Sequence, residues 1–291
     1  MKSLLCTVCL FASVLMSTAA VAQAPLAVTD AEARKAVKPV RAMKIILVGD
    51  STTQVGSGWG GEFCARHVVS TLACVNLARG GRSTFSYRAE GSWQLALYEA
   101  KTPGFTKVYM LIQFGHNDQP GKPGRSTDLQ SEFAQNLRQY VTEARSAGAI
   151  PVLVTPLTRR SFKNGVLQDD LRPWAESVIA IAAEMKVPLL DLHATSSSAV
   201  QAMGAVAALE LAQAAAPESV VAAARSGTTI AAPKPTSSAA ANNVDAPAEP
   251  SVQQVEFDYT HLGASGAELF SAQVAAGLAQ SMPELARVLL P

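Results

Sequence analysis

The chain carries no excess of either charge: 24 Lys and Arg stand against 23 Asp and Glu, a net of +1 over 291 residues. Nucleic-acid binding calls for a basic surplus and an anionic bilayer for a polybasic run, and neither is present. Long apolar runs are missing too, since the apolar stretch at residues 4–16 is too short for a membrane span. Cysteine is scarce, at four residues, and two of these, Cys6 and Cys9, fall inside that stretch. No H-E-x-x-H occurs and no paired cysteine ligands remain beyond the stretch, so no metal and no organic cofactor is expected. Apolar residues make up 48% of the chain, but alanine inflates the figure and overstates core-forming power.

What is present begins with export. Lys2, the short apolar stretch and Ala20-Val21-Ala22 read residues 1–22 as a secretory signal, which predicts a secreted or periplasmic protein with no membrane association after cleavage. An uncleaved anchor is the alternative, and the length argues against it. The C-x-x-C of Cys6 and Cys9 is removed with the signal. Cys64 and Cys74 remain, either bridged across a short loop or as two buried thiols. Residues 23–42 form a polar lead-in without pattern.

From Lys44 the chain alternates short apolar runs with helical spacings. Strands are expected near residues 44–48, 74–77, 107–114, 150–155 and 187–191, and helices near 59–70, 92–100, 128–147, 171–184 and 263–280. Near-continuous apolar strands alternating with helices predict an α/β domain whose parallel sheet of about five strands is covered on both faces. Polar, glycine-containing stretches follow the first three strands, at the sheet edge where ligands sit in open α/β folds. The regularity stops at residues 196–252. The first part is dominated by alanine, with helix propensity but few large groups to bury, and the second is rich in Pro, Ser and Thr. The segment reads as an alanine-rich, partly disordered insert in a domain spanning 43–291. The rival reading, a linker, leaves only about forty residues for a second domain, close to the smallest stable size.

Ser51 stands between the first strand and a glycine-rich turn, where its hydroxyl is placed either for nucleophilic attack or to cap the turn. A serine nucleophile needs a base, and the base an orienting acid. His67 lies inside a helix and His193 has no acid at a suggestive spacing, whereas His261 follows Asp258 by three residues. Asn117, between His116 and Asp118 after the third strand, offers a neutral amide donor suited to an oxyanion, against the alternative of a turn residue.

The stretches Val48-Gly49-Asp50-Ser51-Thr52, Asn76-Leu77-Ala78-Arg79-Gly80-Gly81-Arg82-Ser83, Gln113-Phe114-Gly115-His116-Asn117-Asp118 and Asp258-Tyr259-Thr260-His261-Leu262 occur in that order. Together they resemble the SGNH hydrolases, or GDSL-like family, and within it the rhamnogalacturonan acetylesterase group. The resemblance covers roughly residues 43–194 and 255–282 and leaves out the alanine-rich segment. Gly-Asp-Ser-Thr in place of Gly-Asp-Ser-Leu is a departure that tells against the lipase-like branches. The resemblance implies a three-layer flavodoxin-like fold, with Ser51 as nucleophile, His261 as base and Asp258 as its orienter. It also implies an oxyanion hole from the Ser51 and Gly81 N–H groups and the Asn117 side chain. The implied substrate is an acetylated cell-wall polysaccharide or oligosaccharide of pectin type, attacked by a monomer that needs no cofactor. Arg82 and Arg88 are then open to two readings, as partners for uronate carboxylates or as surface charges. Trp59 and Trp93 are likewise open, as sugar platforms or as core. The rivals are a lipid or xylan acyl esterase of the same fold, and a non-catalytic carbohydrate-binding protein.

Overall fold

The computed structural model describes residues 29–35, 37, 40–231 and 255–290. The expected signal at 1–22 and residues 232–252 of the expected insert lie outside the described residues. The chain divides into two units, Met1–Pro39 and Val40–Pro291. Of the first, one exposed helix is described, α1 (Asp30–Lys35), with an Arg34–Asp30 ion pair at 3.6 Å.

The second unit is built on a parallel sheet of five strands: β1 (Met43–Gly49), β2 (Leu72–Asn76), β3 (Val108–Gln113), β4 (Ile150–Val154) and, later in the chain, β7 (Leu189–Leu190). A two-stranded hairpin, β5 (Phe162–Lys163) and β6 (Val166–Leu167), lies between β4 and β7 in sequence. The strand order is β2-β1-β3-β4-β7. The chain therefore moves outward from β1 to β2, then crosses back to β3 on the other side. This reversal opens a crevice at the carboxyl end of β1, flanked by the loops that leave β2 and β3. The register Leu47↔Asn76 and Gly49↔Gln113 brings those three exits level.

Strand side chains alternate between two cores, as the two-residue period requires. Ile45, Leu47, Tyr109, Leu111, Val152 and Val154 point into one. Ile46, Val48, Met110, Ile112 and Leu153 point into the other. The first core is covered by α2 (Gly60–Arg66), α7 (Leu192–Ala207), α8 (Glu218–Ala224) and α9 (Ala264–Ser281). The second is covered by α3 (Thr84–Ala89), α4 (Ser92–Ala100), α5 (Ala134–Ser146) and α6 (Arg172–Met185). The result is the three-layer α/β architecture expected. Cys64 in α2 and Cys74 in β2 are joined by a disulfide, their Cα atoms 5.4 Å apart. No described helix is long and apolar enough to cross a membrane.

The boundary of the alanine-rich insert is corrected. Residues 196–224 belong to the fold: Val200, Ala205, Ala208, Leu209, Leu211, Val220 and Ala224 are buried in the first core. A count of large side chains underestimates this segment, because small ones bury completely where backbones approach closely. The contact is that close: a Cβ on Gly263 would stand 2.4 Å from the Ala212 carbonyl oxygen. Ala212 also forms an isolated antiparallel bridge with Leu262, next to His261. The segment thus buttresses the loop that carries the candidate base.

Helices α3 and α7 are among those that escaped the spacing argument. Helix α3 is fixed by a capping box, in which Ser83 accepts from the Ser86 N–H and the Ser86 hydroxyl accepts from the Ser83 N–H. Its six residues are too few for a periodicity to show. Helix α7 begins where Asp191 accepts from the Ala194 N–H at 3.1 Å.

Candidate active site

Ser51 follows directly on the buried end of β1. Asp50, fully buried, accepts at Oδ1 from the Thr52 N–H and the Thr52 hydroxyl, both at 2.8 Å. Its carbonyl accepts from the Thr53 and Gln54 N–H groups. These bonds wind the chain into a tight turn with Ser51 at its crest, 8% exposed. The Ser57 hydroxyl donates to the Ser51 carbonyl at 2.8 Å. Gly58 packs so closely that a Cβ there would lie 2.2 Å from the Thr52 carbonyl carbon, so only glycine fits beneath the turn.

Gly81 lies in the loop after β2, with φ of 77°, in the left-handed region that glycine adopts without penalty. Gln54 couples this loop to the Ser51 turn: its Oε1 accepts from the Gly80 N–H and its Nε2 donates to Ser57 Oγ at 2.7 Å. Among the described residues, the N–H groups of Ser51 and Gly81 have no hydrogen-bond partner. Asn117, in the loop after β3, donates one amide hydrogen to the Arg82 carbonyl at 3.1 Å, which leaves the other available. Three donors from three strand exits thus remain unspent around the β1 crevice, the arrangement that stabilises a developing oxyanion. Asn117→Ala is expected to lower kcat by roughly 10²–10³ with little change in KM, read from steady-state acetate release. A wild-type kcat would remove the amide from the hole.

His261 and Asp258 lie in the loop before α9. Nδ1–H of His261 donates to Asp258 Oδ2 at 2.5 Å, while Asp258 Oδ1 accepts from the Thr260 and His261 N–H groups, both at 2.7 Å. Burial alone would raise the Asp258 pKa, but the side-chain and backbone bonds from His261, with that from Thr260, hold it at about 2. With Nδ1 so engaged, Nε2 carries the lone pair. Ser51, Gly80, Gly81, Asp258 and His261 line one cleft of about 940 Å³. Among the described residues, Ser51 Oγ and His261 Nε2 are joined by no direct hydrogen bond; a free enzyme commonly leaves such bonds to be completed by substrate.

The cleft is polar. Gln54, Ser57, Arg79, Arg82, Gln213 and Glu256 also line it, with Ala78 and Val255 as the apolar part. Arg82 lines the cleft, with Nε donating to Glu90 at 2.9 Å and Nη1 to the Gly80 carbonyl at 2.7 Å. Arg88 is corrected: it does not reach the cleft. It forms a two-bond pair with Glu143 at 2.8 and 3.0 Å, over the Tyr140 ring, in a separate recess lined by Trp93. One helical turn beyond the Gly81 loop is enough to point it to the other face of the sheet. Trp59 and Trp93 are buried core residues. His67 is also structural, with Nδ1 on the Leu290 carbonyl and Nε2 on Ser271 Oγ. Buried His193 has an acid after all, Asp169 at 2.6 Å, but its other nitrogen faces the Pro156 carbonyl, so neither is free to serve as a base.

Beneath the site lies a buried cluster of ionisable groups. His116 Nδ1 is 3.6 Å from Asp50 Oδ2, an electrostatic contact longer than a hydrogen bond. Burial lowers the His116 pKa, opposed by Asp50. Asp118 accepts at Oδ1 from the Thr84 N–H at 3.0 Å, the Thr84 hydroxyl and the Thr127 hydroxyl, and so ties the start of α3 to the Asn117 loop. Burial raises its pKa from 3.8 to about 7 against those bonds, with the Asp50 charge adding to the rise. A raised folded-state value means that the folded protein keeps a proton which the unfolded chain gives up. The resulting stabilisation is complete below about pH 4 and is lost as pH rises towards 7. Asp118→Asn is therefore expected to gain stability relative to wild type between pH 4 and pH 8, by on the order of a few kcal/mol. Urea unfolding at the two pH values measures this, and a difference that does not change with pH would contradict it. Among the described residues, no group of three or more His, Cys, Asp or Glu is placed to hold a metal ion.

Two positions that complete the site were not legible in the sequence. Gln54 has no motif of its own. Arg160, which holds the Asp258–His261 loop, stands about a hundred residues away in the chain and has no local motif either.

Comparison with known proteins bears on the family and the fold. The model of the GDSL-like lipase/acylhydrolase family matches residues 47–211, more than half of the chain. Rhamnogalacturonan acetylesterase RhgT of Bacillus subtilis is 39% identical over 175 residues, covering 57% of this chain and 71% of the relative. The protein named "Probable rhamnogalacturonan acetylesterase YesY", from the same organism, is 36% identical over 155 residues, covering 51% and 69%. Among solved structures, protein YxiM of Bacillus subtilis superposes with a TM-score of 0.58 at 22% identity, over 84% of this chain and 58% of that one, and so supports the fold. The serine at the end of β1, the donors at the exits of β2 and β3, and the matched span place the chain in the GDSL-like lipase/acylhydrolase family.

Proposed function

We propose that the chain is an exported serine esterase that acts as a monomer and removes acetyl groups from a pectin-type cell-wall polysaccharide through an acyl-enzyme. One observation carries the reading: a single polar cleft holds Ser51, the Asp258-oriented His261 and the unpaired N–H groups of Ser51 and Gly81. Family membership supports ester hydrolysis, and the names of the two relatives support an acetylated, uronate-containing polysaccharide as the substrate. Arginines and amides in the cleft wall suit a hydroxylated, anionic substrate better than an acyl chain.

The reaction runs in two halves. Ser51 Oγ attacks the acetyl carbonyl carbon while His261 Nε2 takes the hydroxyl proton. The imidazolium so formed is stabilised by Asp258, and the oxyanion by the Ser51 and Gly81 N–H groups and the Asn117 amide. Collapse of the intermediate breaks the bond to the sugar oxygen, which takes the proton from His261. Water, deprotonated by His261, then attacks acetyl-Ser51 and releases acetate. Acetate release from acetylated rhamnogalacturonan, acetylated xylan and long-chain esters tests the assignment. The expected order has rhamnogalacturonan first by kcat/KM. Preference for xylan or for long chains would change the substrate, and sugar binding without acetate release would leave a binding protein.

A further inference from the structure

Arg160 is 1% exposed, among the largest fully buried side chains of the fold. A charge in such a place is costly and is offset only where its donors find partners. Among the described residues Nε has none, while both terminal nitrogens donate to main-chain carbonyls. Nη1 donates to the Thr260 oxygen at 3.2 Å, and Nη2 donates to the Asp258 oxygen at 3.0 Å and the His261 oxygen at 2.8 Å. The main-chain N–H of Arg160 donates to the Tyr259 oxygen at 2.9 Å. One residue thus satisfies four consecutive carbonyls, those of Asp258, Tyr259, Thr260 and His261. No helix or strand pairing could do so, since the loop belongs to neither.

Resting on the esterase reading above, we infer that Arg160 is a positioning residue for the reaction: its guanidinium fixes the loop that aims His261 at Ser51, and so sets kcat without touching substrate. The planar fork is what the task needs. Its donors lie at fixed angles in one rigid plane, whereas a lysine ammonium is a single point on a flexible stem and reaches fewer carbonyls. Two neighbouring contacts complete the clamp. Arg159 Nε donates to Thr260 Oγ1 at 3.3 Å, and the Leu262 N–H donates to the Ser57 carbonyl at 2.8 Å, so that the loop is pinned against the nucleophile turn as well. Arg160 releases nothing to the cleft, whose walls do not include it.

The test compares the full chain with Arg160→Lys and Arg160→Gly, using acetate release for kcat and KM and the rate of covalent labelling by a fluorophosphonate for serine reactivity without sugar binding. Near-UV circular dichroism reports the native packing. The expected result is a fall in kcat of roughly 10²-fold in both variants, the size of a small misplacement of a reacting group, with KM changed by less than about twofold. Labelling slows in parallel, the native spectrum is kept, and millimolar guanidinium restores part of the rate to Arg160→Gly. A wild-type kcat in Arg160→Lys would overturn the inference. So would a rise in KM alone, or a loss of activity that tracks loss of the native spectrum in both variants. If the wild-type protein releases no acetate from any ester and takes no label, the esterase reading falls and this inference with it. If wild type is active and the variants match it, only the role of Arg160 falls.

Discussion

Ser51→Ala should reduce turnover by about 10⁶, the scale seen when a serine nucleophile is removed from a triad, and should leave the fold intact. Both halves of that expectation follow from the surroundings of the hydroxyl. Among the described residues Ser51 Oγ makes no hydrogen bond, so its loss strands no buried partner. The turn itself is held by Asp50, Thr52 and Ser57, none of which needs that oxygen. Stability should change by less than about 0.5 kcal/mol, as for substitutions that break no contact. Some acceleration over water should survive, because the oxyanion donors and the cleft remain. Steady-state acetate release and urea unfolding on the same preparation read the two quantities. A variant with appreciable activity would show that another group attacks the ester.

The second large effect is expected for Asp258→Asn, a drop of up to about 10⁴ in kcat. The amide oxygen can still accept from the Thr260 and His261 N–H groups, so the loop keeps its shape. The amide nitrogen, however, faces His261 Nδ1, where the carboxylate now accepts. An imidazole set between that donor and the cleft turns its proton to Nε2, and the nitrogen that should act as base becomes a donor. Because the carboxylate is held at about pKa 2, wild-type activity should show no dependence on Asp258 protonation above about pH 4. A mild loss in Asp258→Asn would mean that another group orients His261.

The sheet and the three strand-exit loops could be read in advance because their signals are local. An apolar run that stops at glycine, or an amide between two ionisable residues, lies within a few positions of itself. The Asp258–His261 pair was legible for the same reason, since three residues of spacing let one loop close on itself. Arg88 misled because closeness in sequence to Gly81 stands in for closeness in space only until a helix intervenes, and α3 turns the side chain towards Glu143. Arg160 and Gln54 act through hydrogen bonds to main-chain atoms far along the chain, which leave no periodicity behind. The alanine-rich stretch was misjudged through its composition. Ala205 and Ala208 contribute by letting backbones close on one another, a property of the packing that residue volume does not show.

The most direct test is rapid acid quenching of the enzyme during turnover of an acetyl ester, followed by mass mapping of the acetylated peptide. The acetyl group should appear on Ser51 of the wild-type protein within one turnover, and His261→Ala should form none on that timescale. Acetylation at another residue, or equally fast acetylation of Ser51 without His261, would contradict the mechanism.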